Sequence, residues 1–403
     1  MTMMLARCVL MISVITMALP GRTTQPALPA SSLGLRAAEG AAQHSGKGGP
    51  AIIAYVYSRN KVIDPDGIAA DELTHINYAF ANIADGKIIE GSANDAKNFE
   101  ILSDLRTRHP HLSILISVGG WTWSGGFSDM ALTSESRRRF VDSAMEFVRR
   151  HNLDGVDIDW EYPGLPGIGN LYRPEDKQNF TSLMTELRAA LDREGAAQKR
   201  RYWLTFAAGA NVPECLVHME MEKVQAVVDF VNLMTYDFRE AESDSLAGHH
   251  SNLYSNPADD KQLSADRAVR DYLAAGVPPG KIVVGVPFYG HVWGEVKPDG
   301  NGLYQPGKPV QDNIDASYGN LVNQFIGKNG YVRFWDKQSE APYLWNASKR
   351  IFITYEDPQS LRLKCRYIRD HKLGGVMFWE YYADPTGSLL ETLYRELPRR
   401  RNQ

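Results

Sequence analysis

The sequence is poor in cysteine, in long apolar runs and in excess charge of either sign. Only three of its 403 residues are cysteine, which is too few for a disulfide-stapled scaffold; once Cys8 is removed with the N-terminal segment, Cys215 and Cys365 are expected to remain as isolated thiols. Beyond that segment no apolar run approaches the roughly 18 residues of a membrane span. Lysine and arginine number 44 against 48 acidic residues, so nothing favours nucleic acid or a membrane as a partner.

The motifs of common metal and dinucleotide sites are also missing. The patterns H-E-x-x-H, paired C-x-x-C and G-x-G-x-x-G do not occur. We therefore expect no metal and no other cofactor.

The N-terminus is typical of a secretory signal. Arg7 supplies a positive charge, residues 8–19 form an apolar segment too short to span a bilayer, and Pro20 interrupts it. We predict a signal peptide over 1–30 and a disordered lead-in over 31–49, which is small, polar and rich in Gly, Ala, Ser and Pro. A secreted protein, extracellular or periplasmic, is the corresponding expectation.

From residue 51 onward, apolar segments alternate with amphipathic ones. The apolar segments are near-continuous, as in a parallel sheet buried on both faces, and predict strands at 51–57, 74–81, 112–118, 154–161, 202–208, 229–236, 281–288 and 374–379. The amphipathic segments predict helices at about 94–108, 134–151 (with Thr133 as N-cap), 174–194, 214–227, 263–275, 358–372 and 385–396. Eight strands alternating with helices favour a (β/α)8 TIM barrel.

One interval interrupts this alternation. Roughly sixty residues separate the last two predicted strands, with turn signals at 298–302 and 328–330, and this is too long for a plain βα connection. We predict a small α+β insertion domain over 291–350, at the barrel face where active sites lie. The barrel, which would be the catalytic domain, is predicted over 50–290 and 351–398.

The most informative stretch is 153–163, with the sequence LDGVDIDWEYP. Asp157, Asp159 and Glu161 are two residues apart, so on a strand their side chains share one face while Val, Ile and Trp share the other. A half-exposed strand would mix other polar residues with these acids, and a calcium loop would have small polar residues and glycine between them. A group of acids facing an enclosed space is the remaining interpretation.

Such a group favours acid catalysis. Residues two apart on a strand have Cα atoms roughly 6.6 Å apart, so Asp159 and Glu161 can couple electrostatically. Like charges at this distance cannot all ionise, and one carboxyl group then stays protonated near neutral pH. A general acid requires this property.

Several segments resemble motifs of glycoside hydrolase family 18, the chitinases. Asp154–Glu161 resembles the D-G-x-D-x-D-x-E signature, Ser117–Gly120 the S-x-G-G motif and Met234–Asp237 the M-x-Y-D motif. Trp379 matches a sugar-platform tryptophan of the family, and the insertion resembles that of its processive, deep-groove members. The resemblance covers about residues 51–398.

The resemblance implies a retaining hydrolase in which the substrate supplies the nucleophile. Glu161 would protonate the glycosidic oxygen, and the 2-acetamido carbonyl of the sugar would attack to give an oxazolinium ion. Asp159 would turn between Asp157 and Glu161 and then bond the acetamido N–H, while Tyr236 and Asp237 would hold the acetamido group. The implied partner is chitin or chito-oligosaccharides, acted on by a protein that we expect to be monomeric.

The resemblance also assigns supporting roles. Ser117 and Tyr55 would contact Asp157, and Gly119 and Gly120 would leave steric room. Asp154, the first acid of the signature, is also expected to have a supporting role. The residues expected to bind substrate are Tyr55, Trp121, Tyr162, Met234, Tyr289 and Trp379. Further aromatic residues are candidates for sugar stacking or, equally, for core packing: Trp123, Phe127, Trp293, Trp335 and Trp345.

One position departs from the family pattern. The family often has arginine where this chain has His291, after Phe-Tyr-Gly. Histidine is shorter and only partly charged near pH 6.5, so the arginine's contact with substrate and an acid would be lost, replaced or made pH-dependent.

Two other functions remain as alternatives. A chitin-binding lectin on the same fold would lack the acid at Glu161, and an endo-β-N-acetylglucosaminidase acting on N-glycans would lack the insertion over 291–350. A metal-dependent barrel enzyme of the enolase kind would spread its carboxylates over successive strands. The sequence leaves the choice between endo and exo cleavage open.

Overall fold

The computed structural model describes residues 49–310 and 314–397. The predicted signal peptide and nearly all of the predicted lead-in lie outside these residues. The described strands are β1 Ala51–Tyr57, β2 His75–Ala84, β3 Lys87–Ile89, β4 Ser113–Gly119, β5 Gly155–Asp159, β6 Trp203–Gly209, β7 Phe230–Met234, β8 Ile282–Pro287, β9 His291–Gly294, β10 Lys308–Pro309, β11 Val332–Asp336, β12 Ala341–Asn346, β13 Ile351–Thr354 and β14 Gly375–Trp379.

Eight of these strands form a closed parallel barrel. Their order around the barrel is β1, β2, β4, β5, β6, β7, β8 and β14, and β14 pairs with β1 to complete the ring. Each strand is followed by a crossover, so all the carboxyl ends lie at one face. The predicted (β/α)8 barrel is confirmed.

Helices cover the outside of the barrel. The α-helices of the described residues are Asp95–Arg108, Phe127–Ala131, Ser134–Arg150, Asp176–Gln198, Val212–Cys215, Met221–Val227, Ala265–Ala274, Tyr318–Asn320, Pro358–Asp370 and Ser388–Glu396. Helix Ser134–Arg150 begins at the predicted N-cap, where Thr133 and Ser136 form a reciprocal capping box. Its apolar stripe packs Phe140, Ala144 and Val148 into the large core between the sheet and the helices.

The prediction of one helix over 214–227 is wrong. The structure has two short helices, separated by a turn at Leu216–His218 and an extended backbone at Met219. Met219 and Met221 are both buried, and residues two apart cannot occupy the same face of a continuous helix. The break allows both side chains to turn toward the core.

The insertion contains a five-stranded antiparallel sheet of order β10, β9, β13, β12, β11. Its core is aromatic and includes Trp293, Tyr343, Trp345 and Phe352. The sheet includes β13, whereas the predicted boundary assigns residues from 351 onward to the barrel; β13 pairs with both β9 and β12, so the sheet extends past that boundary. The division into separate domains stays a prediction.

Two further sequence expectations concern thiols and membranes. Cys215 and Cys365 are buried and unpaired within the described residues, as expected. No helix in the described part of the chain is both long and apolar enough to cross a bilayer.

Candidate active site

Strand β5 points its acids into the barrel. Asp157 and Asp159 lie on the strand and Glu161 lies two residues beyond its last residue. Their exposed fractions are 0%, 4% and 8%, increasing toward the carboxyl end. The predicted strand was two residues too long at this end, but the alternation that places the three acids on one side is present.

Asp157 is held by four hydrogen-bond donors. Tyr55 and Ser117 donate to Oδ2 at 3.0 and 2.8 Å, as the resemblance implied for both residues. Thr205 and Asn232 donate to Oδ1 at 2.5 and 3.2 Å, and sequence reasoning missed both. Thr205 is directly opposite Asp157 in the β5–β6 register, so an inward-facing polar residue on the neighbouring strand was the available signal.

The hydrogen bonds to Asp157 and its burial act on its pKa in opposite directions. Burial raises the pKa of Asp157, because a low-dielectric interior penalises the charged form, and the four donors oppose the increase. The donors fix the position and orientation of this carboxyl group at the floor of the site.

Asp159 has a different environment. Its Oδ1 atom is buried and has no hydrogen-bond partner among the described residues. Burial raises the pKa of Asp159 well above its usual range, and repulsion from Glu161 and Asp157 raises it further. A carboxyl group in this position favours holding a proton, and no described donor fixes its Oδ1 atom.

Glu161 is positioned by its backbone. Its amide N–H donates to Ser124 Oγ at 2.9 Å, and that hydroxyl is 2.9 Å from Gly120 O and 3.1 Å from Asp159 O. Ser124 was not predicted, because nothing in the local pattern separates it from an ordinary loop serine. Burial raises the pKa of Glu161 to about 8; the hydroxyl of Tyr162 opposes the increase, and Asp237 and Glu240 add to it.

Two glycines make this arrangement sterically possible. A Cβ on Gly119 would lie 2.3 Å from Asp159 O, and one on Gly120 would lie 2.8 Å from the Phe80 ring. Both residues also have positive φ, at 108° and 83°, where side chains are disfavoured. The steric room expected of them therefore serves the neighbouring strand and an aromatic ring.

Asp237 follows β7 and is the centre of a second polar cluster. Tyr289 donates to both of its oxygens, at 2.6 and 2.8 Å, and His291 Nε2 is 2.8 Å from Oδ1. His250 Nδ1 is 3.5 Å from the same oxygen. His291 thus contacts an acid in the manner expected of the family arginine, while His250 was not identified from the sequence.

Charges in this cluster are distributed unequally. Partial desolvation raises the pKa of the Asp237 carboxyl, but the adjacent His250 and His291 outweigh that effect and hold it well below its usual range. Burial lowers the pKa of His250 to about 4, so its ring is neutral near pH 7. Burial also opposes the charge on His291, yet its bond to Asp237 leaves the His291 pKa raised. Asp237 and His291 therefore stabilise each other's charged forms.

A groove with a cavity of about 760 Å³ opens at the carboxyl ends of the barrel strands. Both Asp159 and Glu161 line it, as does Asp237. Five of the six residues expected to bind substrate line it as well: Trp121, Tyr162, Met234, Tyr289 and Trp379. Tyr55 is instead buried beneath the groove, where it bonds Asp157.

The groove floor is aromatic. Trp379 stacks on Tyr57 and Phe80, with ring centroids 5.9 and 5.4 Å apart, and Trp121 at the rim is 46% exposed. Tyr57 and Phe80 were not predicted, because strand aromatics are common in cores. Trp123 also lines the groove. Three other aromatic candidates belong to the core, being almost fully buried: Phe127, Trp293 and Trp345.

Two residues of the matched motifs, Asp154 and Tyr236, form no hydrogen bond with the acids of the groove. Asp154 precedes β5 and so lies at the opposite, amino-terminal end of the barrel, where it pairs with Arg106 and Arg200. The Tyr236 hydroxyl is 3.9 Å from Met377 Sδ and does not bond an acid. Tyr236 nevertheless lines the groove beside Met234.

The geometry supports proton transfer to a ligand in the groove. One acid of raised pKa faces the groove, and a second acid without a donor lies beside it. A carboxylate held by tyrosine and histidine completes the site.

Among the described residues, the only group of histidine, cysteine or carboxylate side chains close enough to hold a metal is Asp237, His250 and His291.

Comparison with known proteins identifies the family. The model of "Glycosyl hydrolases family 18" matches residues 51–384. The chain is 41% identical over 329 residues to Chitinase A1 of Niallia circulans, a match spanning 78% of this chain and 47% of that relative. It is 30% identical over 390 residues to Chitinase B of Serratia marcescens, covering 81% of this chain and 76% of that one.

A solved structure agrees with this result. A family 18 N-acetylglucosaminidase from Paenibacillus barengoltzii superposes with a TM-score of 0.79 at 41% identity, over 86% of this chain and all of that chain. The chain spans about half the length of Chitinase A1, but the family match covers all eight barrel strands and the groove residues. The protein belongs to glycosyl hydrolase family 18.

Proposed function

We propose that this protein is a secreted chitinase that hydrolyses the β-1,4 bonds between N-acetylglucosamine units with retention of configuration. The observation that carries the proposal is Glu161, whose pKa is raised to about 8 and which lines an aromatic-floored groove. At neutral pH this carboxyl group holds a proton and can deliver it to an oxygen in the groove.

In the first step, Glu161 transfers its proton to the glycosidic oxygen. The bond between that oxygen and the anomeric carbon breaks, and the acetamido carbonyl oxygen of the same sugar attacks the anomeric carbon to give an oxazolinium ion. Asp159, whose Oδ1 has no donor in the described structure, accepts the hydrogen bond of the acetamido N–H. Holding the internal nucleophile in reach of the carbon removes an entropic cost.

In the second step, water opens the oxazolinium ion. The Glu161 carboxylate takes a proton from that water, which attacks the face vacated by the leaving group. Attack by the acetamido group and then by water each inverts the anomeric carbon, so the product retains its configuration. Glu161 is then protonated for the next cycle.

The other groove residues position the substrate. Tyr236 and the Asp237–Tyr289 pair, which border the groove, hold and polarise the acetamido group. Trp379, on its aromatic stack, supports the face of the reacting sugar. Before Asp159 turns toward Glu161, its partner is Asp157, which four donors hold in place.

A second candidate activity is removal of single N-acetylglucosamine units. It is favoured by the similarity to the solved N-acetylglucosaminidase. That protein is 41% identical to this chain, as Chitinase A1 is, and the match covers its whole length. The lectin alternative is disfavoured because Glu161 is present and lines the groove. The N-glycan alternative is disfavoured because the insertion is folded beside the groove. Secretion rests on the predicted signal peptide alone.

Product analysis tests these proposals. The protein is incubated with N-acetylglucosamine tetramer and hexamer and, separately, with a glycoprotein carrying N-glycans. Chitinase activity predicts mainly dimer, initially as the β-anomer by NMR; release of monomer alone would favour the second candidate. An initial α-anomer would overturn the retaining mechanism, and cleavage of the glycoprotein without cleavage of the oligomers would overturn the substrate.

A further inference from the structure

Asp237, His250 and His291 converge on one point at the side of the groove. Each offers one ligand atom, and the three atoms all lie within 4.8 Å of one another. Asp237 Oδ1 is 2.8 Å from His291 Nε2 and 3.5 Å from His250 Nδ1. Ligands of a tetrahedral zinc ion, with bonds of about 2.0–2.1 Å, are roughly 3.4 Å apart, so small side-chain adjustments would accommodate a metal.

The histidine of this group that the hydrolytic mechanism does not use is His250. Its ring is fully buried, and neither ring nitrogen has a hydrogen-bond partner within the described structure. Buried polar atoms ordinarily have partners. The ring packs perpendicular to His291, with centroids 4.9 Å apart, and its Nδ1 lies on the side of Asp237. An imidazole nitrogen that faces a carboxylate at 3.5 Å without a hydrogen bond is a ready metal ligand.

We propose that Asp237, His250 and His291 form a binding site for a divalent transition-metal cation of the zinc type, and that the bound cation inhibits hydrolysis. Two imidazoles and one carboxylate are a donor set that suits zinc. Tyr289 donates to both Asp237 oxygens, at 2.6 and 2.8 Å; it would keep its bond to Oδ2 and orient the carboxylate from the outer shell while Oδ1 binds the cation. The proton on His291 Nε2 would leave as the metal enters.

Inhibition follows from the position of the site. Asp237 is the carboxylate that the proposed function assigns to the acetamido group, and a cation bound to it would withdraw that carboxylate from the sugar. Metal binding itself is independent of that assignment, whereas inhibition rests on the proposed function. The site is not required for the hydrolytic chemistry, so metal removal would leave activity intact or raise it.

Direct binding is the primary test. Metal-free protein, prepared with EDTA and then desalted, is titrated with Zn²⁺ by calorimetry and with Co²⁺ by visible absorption, which reports tetrahedral coordination. The variants are His291→Arg, which keeps a cationic partner for Asp237 but cannot ligate a metal, and His250→Gln. The control is His109→Gln, which removes another histidine that is 2.8 Å from an aspartate, Asp71. His109 precedes β4 and so lies at the amino-terminal end of the barrel, opposite the groove.

We expect one Zn²⁺ per chain, with affinity lost more than about tenfold in His291→Arg and in His250→Gln and kept in His109→Gln. No binding to the unmodified protein, or undiminished binding in His291→Arg, would overturn the proposal. His291→Arg is the decisive variant if His250→Gln fails to fold, because His291 lies at the groove rather than in the core.

Hydrolysis by the metal-free protein separates the two proposals. If metal-free protein cleaves the oligomers, Zn²⁺ is expected to reduce the rate, and His291→Arg is expected to lose that sensitivity relative to its own metal-free rate. If Zn²⁺ binds and the metal-free protein is inactive on every oligomer, the metal site stands and the proposed function fails. If hydrolysis occurs and Zn²⁺ binds without slowing it, the inhibitory role is wrong.

Discussion

The acidic motif has two ends, and their environments are opposite. Asp154, at the amino-terminal end of β5, is paired with Arg106 at 2.7 Å and with Arg200, and it accepts the Ile114 amide N–H at 2.8 Å. At the carboxyl end, Asp159 and Glu161 form no ion pair with any described lysine, arginine or histidine. Within eight residues, one acid is therefore neutralised by arginines, and two others are left without a cationic partner.

The difference shows how a barrel separates stability from chemistry. Arg106 and Arg200 compensate the charge of Asp154 and join the strand to its surroundings. Glu161 has no such partner among the described residues, and its burial therefore keeps a proton on it near neutral pH. This matches the general division of TIM barrels into a stabilising face and an active face. Four experiments test the comparison, in order of expected effect.

The largest effect is expected for Glu161→Gln. The amide keeps the shape of the side chain but has no proton of suitable acidity, so kcat on N-acetylglucosamine oligomers should fall by about 10²–10⁴-fold. Calorimetric affinity for the oligomers should stay within a few-fold, since the aromatic floor is unchanged. Turnover close to that of the unmodified protein would exclude Glu161 as the general acid.

The pH dependence examines the same residue without mutation. Glu161 works as an acid only when protonated, so kcat/KM should decline above about pH 8, close to tenfold per pH unit. Because folding raises this pKa, the unfolding free energy should also fall as the pH rises toward and through 8, and Glu161→Gln should lack that part of the decline. A basic limb centred near pH 4.5 would mean that Glu161 has the pKa of an ordinary exposed glutamate.

Asp154→Asn is expected to affect stability instead of chemistry. It removes the charge that two arginines share in a partly buried site, which should lower the unfolding free energy by about 2–4 kcal/mol. Denaturant unfolding measures this loss, and kcat below the transition should stay within about twofold. A large loss of kcat in fully folded protein would contradict the assignment of Asp154 to the stabilising face.

The smallest effect is expected for Thr205→Val. The substitution keeps the volume but removes one of the four donors to Asp157, at a cost of about 1–2 kcal/mol in stability. The pKa of Asp157 should rise further, because the removed donor opposed the effect of burial. Ser117→Ala, which removes a donor from the other oxygen, is the matched comparison. Equal pH–rate profiles for both variants and the unmodified protein would show that the donors only hold the fold together.

The sequence by itself determined the barrel, the face on which the acids lie and the family. Continuous apolar strands alternating with helices allow few other folds, and a period of two places Asp157, Asp159 and Glu161 on one side whatever surrounds them. The motifs that begin at Ser117 and Met234 lie at the ends of β4 and β7, because each stands at the end of an apolar strand segment.

Only the tertiary structure decided which groups these acids meet. Thr205 reaches Asp157 from the adjacent strand β6, and Asn232 reaches it from β7, two strands away. His250 reaches Asp237 from a loop thirteen residues along the chain. The raised pKa of Glu161 comes first from burial, which no spacing of charges in the sequence specifies. Local periodicity fixes direction along one strand, whereas burial and partners depend on contacts between segments that are distant in sequence.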